Sequence, residues 1–215
     1  MGRVVADISM SLDGCVAGPN QTLDEPLGDG GEQLHEWAFG LRAFRERHGR
    51  SGGETTRDNE LVEESLARTG ATVMGRRMFS GGKGPWEDDP KADGWWGDDP
   101  PFRHPVFVLT HHPRETVTKQ GGTSFTFVTD GVESAVEQAR AAAGDKDVAI
   151  GGGASAIQEA IKARLVDELE IHLIPVLLGD GVRLLDGLGD KGVELEPTRV
   201  IDSPAVTHLG FRLAR

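Results

Sequence analysis

Apolar positions along this chain alternate between two periods. Residues 4–11, Val-Val-Ala-Asp-Ile-Ser-Met-Ser, have β-rich character and run into Asp13-Gly14, a strong turn signal, before a second short apolar piece at 15–17. Helical spacing follows at Leu34, Trp37, Ala38 and Leu41, and a polar gap over 49–59 precedes a second helix over 60–68. Short apolar runs at 72–74, 106–110, 124–129 and 148–150 have the length of buried strands. The clearest helix carries Val132, Ala135, Val136 and Ala139 on one face, and another carries Ile157, Ala160, Ile161 and Leu165. Residues 168–178 read as one long strand, 179–181 as a turn, and 193–200 and 207–213 as a closing hairpin.

Strand and helix alternate from 72 to 174, which implies parallel βαβ units. The C-terminal strands have no helix between them, which implies an antiparallel edge on the same sheet. The pattern therefore predicts a three-layer α/β sandwich, a mainly parallel sheet with antiparallel C-terminal edge strands. It forms a single domain over 1–215, with loop excursions at about 18–31 and 80–101. The first excursion has the composition of a lid. The second is rich in Gly, Pro, Asp and Trp and includes Trp86, Trp95 and Trp96.

Composition narrows the function classes. The formal charge of -12, without a concentrated basic stripe, argues against nucleic acid or an anionic membrane as partner. Cys15 is the lone cysteine, so no intramolecular disulfide forms. No apolar run has the length of a bilayer, and the N-terminus lacks a signal-peptide pattern, so a cytoplasmic location is expected. His104, His111 and His112 lack a carboxylate or cysteine at ligand spacing, and no metal is expected.

The stretch from Asp147 to Gln158 carries the first chemical signal. A strand breaks into Gly151-Gly152-Gly153 and a helix opens at Ala154 and Ser155. That geometry lets backbone approach a bulky guest and offers unpaired N–H groups and a positive dipole end to an anion such as phosphate. A second phosphate signal is Gly75-Arg76-Arg77-Met78, a glycine followed by two cations at a strand-to-helix turn. Ligands on such sheets sit beyond the carboxyl ends of the parallel strands, where Gly75, Thr110 and Gly151 all fall.

Five motifs occur in one order: Ser-Leu-Asp-Gly at 11–14, Val-Met-Gly-Arg-Arg-Met-Phe at 73–79, Val-Leu-Thr at 108–110, Ile-Gly-Gly-Gly at 150–153 and Ile-Pro-Val-Leu-Leu-Gly-Asp-Gly at 174–181. Together they resemble the dihydrofolate reductase superfamily, in the branch that contains the C-terminal reductase domain of the bacterial riboflavin-biosynthesis deaminase-reductase. The resemblance implies a dihydrofolate reductase-like fold and an oxidoreductase that uses NADPH. It implies that Gly75, Arg76, Arg77 and Met78 form the first cofactor loop, two cations favouring NADPH over NADH. Thr110, His111 and His112 resemble the loop at the 2′-phosphate and adenine side. Gly151, Gly152, Gly153, Ala154 and Ser155 resemble the pyrophosphate turn, and Val16 and Ala17 the residues lining the nicotinamide. Gln158 lies where it flanks the adenosine in the family, though a solvated polar role is the simpler reading.

Hydride transfer needs orientation and a dry site more than a nucleophile, but the acceptor must also gain a proton. Dihydrofolate reductase carries an acid early in its first helix; the corresponding turn here offers Glu32, His35 and Glu36 without singling out one. Glu36 is carried forward as a catalytic candidate with His172, whose strand position matches one that faces the substrate pocket in the family. Asp13 reads first as a turn former and Trp37 as a packing residue. The function implied is reduction of a small heteroaromatic substrate, of pterin or aminopyrimidine type. The alternative is a non-catalytic NADP(H)-binding or regulatory protein of the same fold. Relatives of the riboflavin type pair through sheet edges, so a homodimer is expected.

Overall fold

A computed structural model describes residues 2–82, 84–189 and 192–214. In chain order its strands are β1 (Val4–Ser11), β2 (Cys15–Ala17), β3 (Thr69–Gly75), β4 (Pro105–Leu109), β5 (Val117–Thr118), β6 (Ser124–Val128), β7 (Asp147–Gly152), β8 (Glu168–Ile174), β9 (Val182–Arg183), β10 (Leu195–Asp202) and β11 (Thr207–Leu213). The helices are α1 (Glu36–Phe39), α2 (Arg42–Arg47), α3 (Arg57–Arg68), α4 (Arg76–Ser80), α5 (Val132–Ala143) and α6 (Ala154–Lys162).

Nine strands make one sheet in the order β10-β11-β8-β1-β7-β3-β4-β6-β5. The pairs from β8 through β6 are all parallel, and β10, β11 and β5 add antiparallel edges. This is the mixed sheet that the strand and helix alternation predicts. β2 and β9 form a separate two-stranded ribbon beside Gly14.

The two faces of the sheet are covered differently. On one, Val4, Ala6, Ala71, Val73, Val148 and Ile150 pack against the buried stripes of α5 and α6. Each fully buried valine or isoleucine there is worth roughly 1.5–3 kcal/mol. On the other, an aromatic cluster of Met74, Phe79, Phe102, Val106, Val108, Phe125 and Phe127 lies under α4 and the 81–102 excursion. Farther along that second face the strands turn polar. Asp7, Ser9, Glu170, His172 and His208 face α1 and α3, where Leu34, Ile174 and Val206 add a small apolar patch.

Several boundaries depart from the pattern. The single helix expected from Leu34 to Leu41 is a 3-10 turn at Gly31–Leu34, one turn of α1 and then α2, separated at Gly40 and Leu41. Leu34, Ala38 and Leu41 are buried all the same, so the apolar stripe was satisfied without a continuous helix. β8 stops at Ile174 rather than 178: Leu12 N–H bonds to the Val176 carbonyl, and the Leu178 and Gly179 amides turn onto the Asp13 carboxylate. Those amides and the Ser11 hydroxyl hold the Asp13 carboxyl at about 2, which supports its reading as a turn residue.

Candidate active site

β7, β3 and β4 are neighbours in the sheet and run parallel, so their carboxyl ends deliver Gly151, Gly75 and Thr110 side by side. The first two loops touch: a methyl group built on Gly75 would lie 3.6 Å from the Gly153 nitrogen, and one on Gly151 would lie 3.6 Å from the Met78 methyl. Gly153 is the N-cap of α6, has φ −72°, and has no neighbour within 4 Å of its missing side chain. No side chain caps α6, so its amino terminus presents backbone donors over an open cradle. Thr110 is buried, and its hydroxyl accepts the His112 N–H at 3.1 Å, closing the third loop into a tight turn.

The 81–102 excursion ties these loops together. The Trp86 indole donates to the His112 carbonyl at 2.8 Å and the Trp95 indole to the Met78 carbonyl at 2.9 Å. Trp86 is itself stacked, with the Arg76 guanidinium 3.2 Å from its ring centre and Arg114 at 5.0 Å. Trp96 packs edge-on against Phe102.

The two arginines expected in the first loop have different fates. Arg77 is exposed, and among the described residues its guanidinium has no hydrogen bond or ion pair. Arg76 is buried, ion-paired with Asp89 and bonded to Ser80, with its Nη1 left without a partner. The uncapped start of α6 over an unfilled cradle, with the exposed Arg77 in the loop that touches it, is a donor set that fits a phosphate-rich cofactor.

Beside these loops the second face carries a strip of small, half-buried residues, Ala149 and Gly151, the floor of a furrow between larger neighbours. Ala149 stands between Val5 and Thr72, and both Ala149 and Gly151 are half-buried where flanking positions are sealed. Asp7 and His172 stand on one side, and Thr72, Met78 and His104 on the other. His104 Nε2 lies 2.7 Å from the Thr72 hydroxyl. Burial, with the cations Arg47 and Lys146, pushes the His104 imidazole down to about 4. Arg47 is half-buried and, among the described residues, its side chain donates only to the Pro101 and Phe102 carbonyls; burial first, with Arg103, lowers it to about 10, against the pull of Asp7.

His172 is deeper in the furrow wall than a free strand histidine. Its Nε2 lies 3.0 Å from Asp7 Oδ1, its Nδ1 2.7 Å from His208 Nδ1, and its ring 4.8 Å from Trp37. Burial alone would raise the Asp7 carboxyl, but the adjoining His172 outweighs it and holds the group below its ordinary value. Trp37 packs here and donates to Ser9 at 3.1 Å. Of the three candidates near α1, His35 is the one brought toward His172: burial first, then His172, lowers its imidazole. Glu32 and Glu36 are exposed, and among the described residues neither carboxylate has a hydrogen bond or ion pair.

Val16 and Ala17 are buried in the β2 ribbon, and the Ala17 carbonyl lies against Gly181, where a methyl group would come within 2.2 Å. Gln158 donates to the carbonyls of Arg183 and Leu184, both at 3.0 Å, so it braces the β9 turn. His111 is exposed at the mouth of the third loop. Asp7, His208 and Asp58 were not singled out from the sequence. Their signal was the period-two polar run Glu168, Glu170, His172 and the lone acid inside β1. Among the described residues no cluster has the makings of a metal site and no helix is long and apolar enough to cross a membrane.

The family model described as the RibD C-terminal domain matches residues 3–209. A putative riboflavin biosynthesis protein from Shewanella sp. PV-4 superimposes with a TM-score of 0.63 at 21% identity, covering 99% of both chains. The diaminohydroxyphosphoribosylaminopyrimidine deaminase/5-amino-6-(5-phosphoribosylamino)uracil reductase of Thermotoga maritima gives 0.56 at 13% identity, with 99% of this chain spanning 57% of that one. The riboflavin biosynthesis reductase of Saccharomyces cerevisiae gives 0.54 at 13% identity, over 100% of this chain and 89% of the other. At these identities the likeness carries the fold. No curated protein matches in sequence.

Proposed function

Because the chain belongs to the RibD C-terminal domain family, we propose that it is an NADPH-dependent reductase of the riboflavin-pathway type, acting on a small heteroaromatic substrate of pterin or aminopyrimidine class. The observation that carries the reading is the adjacency of the loops at Gly75, Thr110 and Gly151 on neighbouring parallel strands, beside a polar furrow.

In this reading the pyrophosphate lies on the uncapped start of α6, held by the backbone of Gly151, Gly152, Gly153, Ala154 and Ser155. Gly75 and Met78 border it, and Arg76, ion-paired with Asp89 and stacked on Trp86, holds the shape of their loop. The 2′-phosphate falls to the exposed cation Arg77, with the donors of His111 and the Thr110–His112 turn beside it. Val16 and Ala17 border the nicotinamide end. When bound, the cofactor supplies a hydride from the nicotinamide ring. The chain's own work is to orient the acceptor carbon, exclude water beneath the excursions and hold a proton for the heteroatom.

His172 with Asp7 holds that proton in this reading: Nε2 of the ring is engaged by Asp7 and Nδ1 by His208, so the proton reaches the furrow through the more exposed Asp7 carboxyl. Glu36 is the weaker candidate, because its carboxylate is exposed and unsupported. The same proposal includes a homodimer through the C-terminal edge: β10 is the outermost strand there and exposes Val200 at 66%.

The test is oxidation of NADPH in the presence of dihydropterin or of an aminopyrimidine ribotide, followed by the absorbance of the reduced nicotinamide. Turnover with either supports the reading. Tight NADPH binding without turnover would move the protein to the regulatory alternative, and absence of binding would refute both.

A further inference from the structure

Four side chains from four elements stand in line beside Trp37: Asp7 on β1, His172 on β8, His208 on β11 and Asp58 at the start of α3. Asp7 Oδ1 is 3.0 Å from His172 Nε2, the two Nδ1 atoms are 2.7 Å apart, and His208 Nε2 is 3.1 Å from Asp58 Oδ1. The outer ends are also bonded, since Ser65 donates to Asp7 Oδ2 at 3.3 Å and the Ser203 hydroxyl donates to the same Asp58 oxygen that faces His208.

Each of the three central contacts needs one hydrogen between two electronegative atoms. Carboxylates bring none and a neutral imidazole brings one, so two neutral rings supply two protons for three contacts. Wherever those two protons sit, one contact is left with lone pair facing lone pair. His208 is 1% exposed, so solvent does not fill a gap at either of its two contacts. A third proton satisfies every contact in each of four arrangements: on Asp58, on His208, on His172 or on Asp7.

We propose that Asp7, His172, His208 and Asp58 form a proton store, holding one proton more than two neutral imidazoles would and releasing it from the Asp7 and His172 end into the furrow. The release half rests on the reductase reading. In that step the hydride brings an electron pair to the acceptor carbon, the store gives a proton to the adjoining nitrogen or oxygen, and nothing in the store is oxidised or reduced. Two protons stay behind, and water refills the same end after product leaves. His208 and Asp58 act through His172 and are positioning residues.

The surroundings restrain the charge from several sides. Arg68 of α3 and Arg47 of α2 face Asp7, His35 faces His172, and Arg199 of β10 faces His208. Arg199 is paired with Glu170 of β8 and Glu64 of α3, and Arg68 with Glu170 and Asp147, so these carboxylates, together with Asp7 and Asp58, offset the cations. Asp7 is held low despite burial, by His172 first and then by Arg68 and the Ser65 hydroxyl. Burial and His172 lower the His208 imidazole against the opposing pull of Asp58.

The experiment counts the protons. Imidazole nitrogens of His172 and His208 and carboxyl carbons of Asp7 and Asp58 are read by NMR in isotope-labelled full-length protein, at a pH above the ordinary imidazole range. Three protons on the set are expected, and two would overturn the store. Asp58→Asn keeps the shape but lets an amide N–H meet His208 Nε2, so that variant is expected to carry two protons on the rings while keeping its circular dichroism. With whichever of dihydropterin or the aminopyrimidine ribotide turns over, Asp58→Asn and His208→Gln are expected to lower kcat about tenfold. Its fall with rising pH would start at a lower pH, with KM for NADPH unchanged. Unaltered kcat and pH profile in both variants would overturn the release role. If neither compound turns over in the native protein, the reductase reading fails and the proton count alone decides the store.

Discussion

Replacing Gly153 with alanine separates folding from binding at the proposed pyrophosphate turn. The residue has φ −72° and ψ −172°, extended backbone open to any residue, and an added methyl meets no atom within 4 Å. In the free protein two small effects oppose each other. Alanine restricts the unfolded chain, worth about 0.4–1 kcal/mol in favour of folding, and it is a poorer N-cap than glycine by a similar amount. The melting temperature should therefore barely move. In the complex the methyl occupies space that the proposal gives to the pyrophosphate. Pushing that group off one charged hydrogen bond costs about 1.5–3 kcal/mol, or roughly ten- to 150-fold in Kd. Calorimetric titration with NADPH and a thermal melt on the same sample provide both numbers. Unchanged affinity would remove the pyrophosphate from this turn. A destabilisation above about 2 kcal/mol would show that the cradle is structural.

Other predictions follow from the same geometry. Arg77→Ala should weaken NADPH by about tenfold and NADH little, measured as the ratio of the two dissociation constants, because Arg77 is the exposed cation of its loop and Arg76 is committed to Asp89. His104 has a folded value of about 4, below its ordinary 6.5, so its neutral form is the folded one. Its contribution is present above about 6.5 and is lost as pH falls toward 4, roughly 2 kcal/mol after allowance for solvent screening. His104→Gln should flatten the melting temperature across that window, and a wild-type melt that does not fall there would contradict the assignment. Phe79 is fully buried with Phe125, Phe127 and Trp86 edge-on around it; Phe79→Ala should cost about 3–5 kcal/mol in urea unfolding and alter Trp86 emission.

The sheet was legible because its strands are apolar runs of the right length, bounded by glycine turns, and because helix and strand alternate between 72 and 174. The glycine turn at 151–153 and the strand ends at Gly75 and Thr110 were readable for the same reason: topology places such ends together once the strands are parallel. Side-chain partners were not. Nothing local in Arg76-Arg77 tells which arginine turns inward, since that depends on Asp89, thirteen residues on, and on Trp86 from the excursion. The pairing of His172 with His208 depends on β8 and β11 being neighbours in register, and Asp58 joins only because α3 begins one turn before the polar gap was expected to end.

The central claim is that the loops at Gly75, Thr110 and Gly151 hold a reduced, 2′-phosphorylated dinucleotide. Titration of the native protein with NADPH and with NADH, read by heat and by the emission of Trp86 and Trp95, tests it most directly, because those indoles are bonded to two of the loops. The account predicts saturable binding of NADPH with a change in emission, at least tenfold tighter than NADH. No heat and no change in emission with NADPH would contradict it.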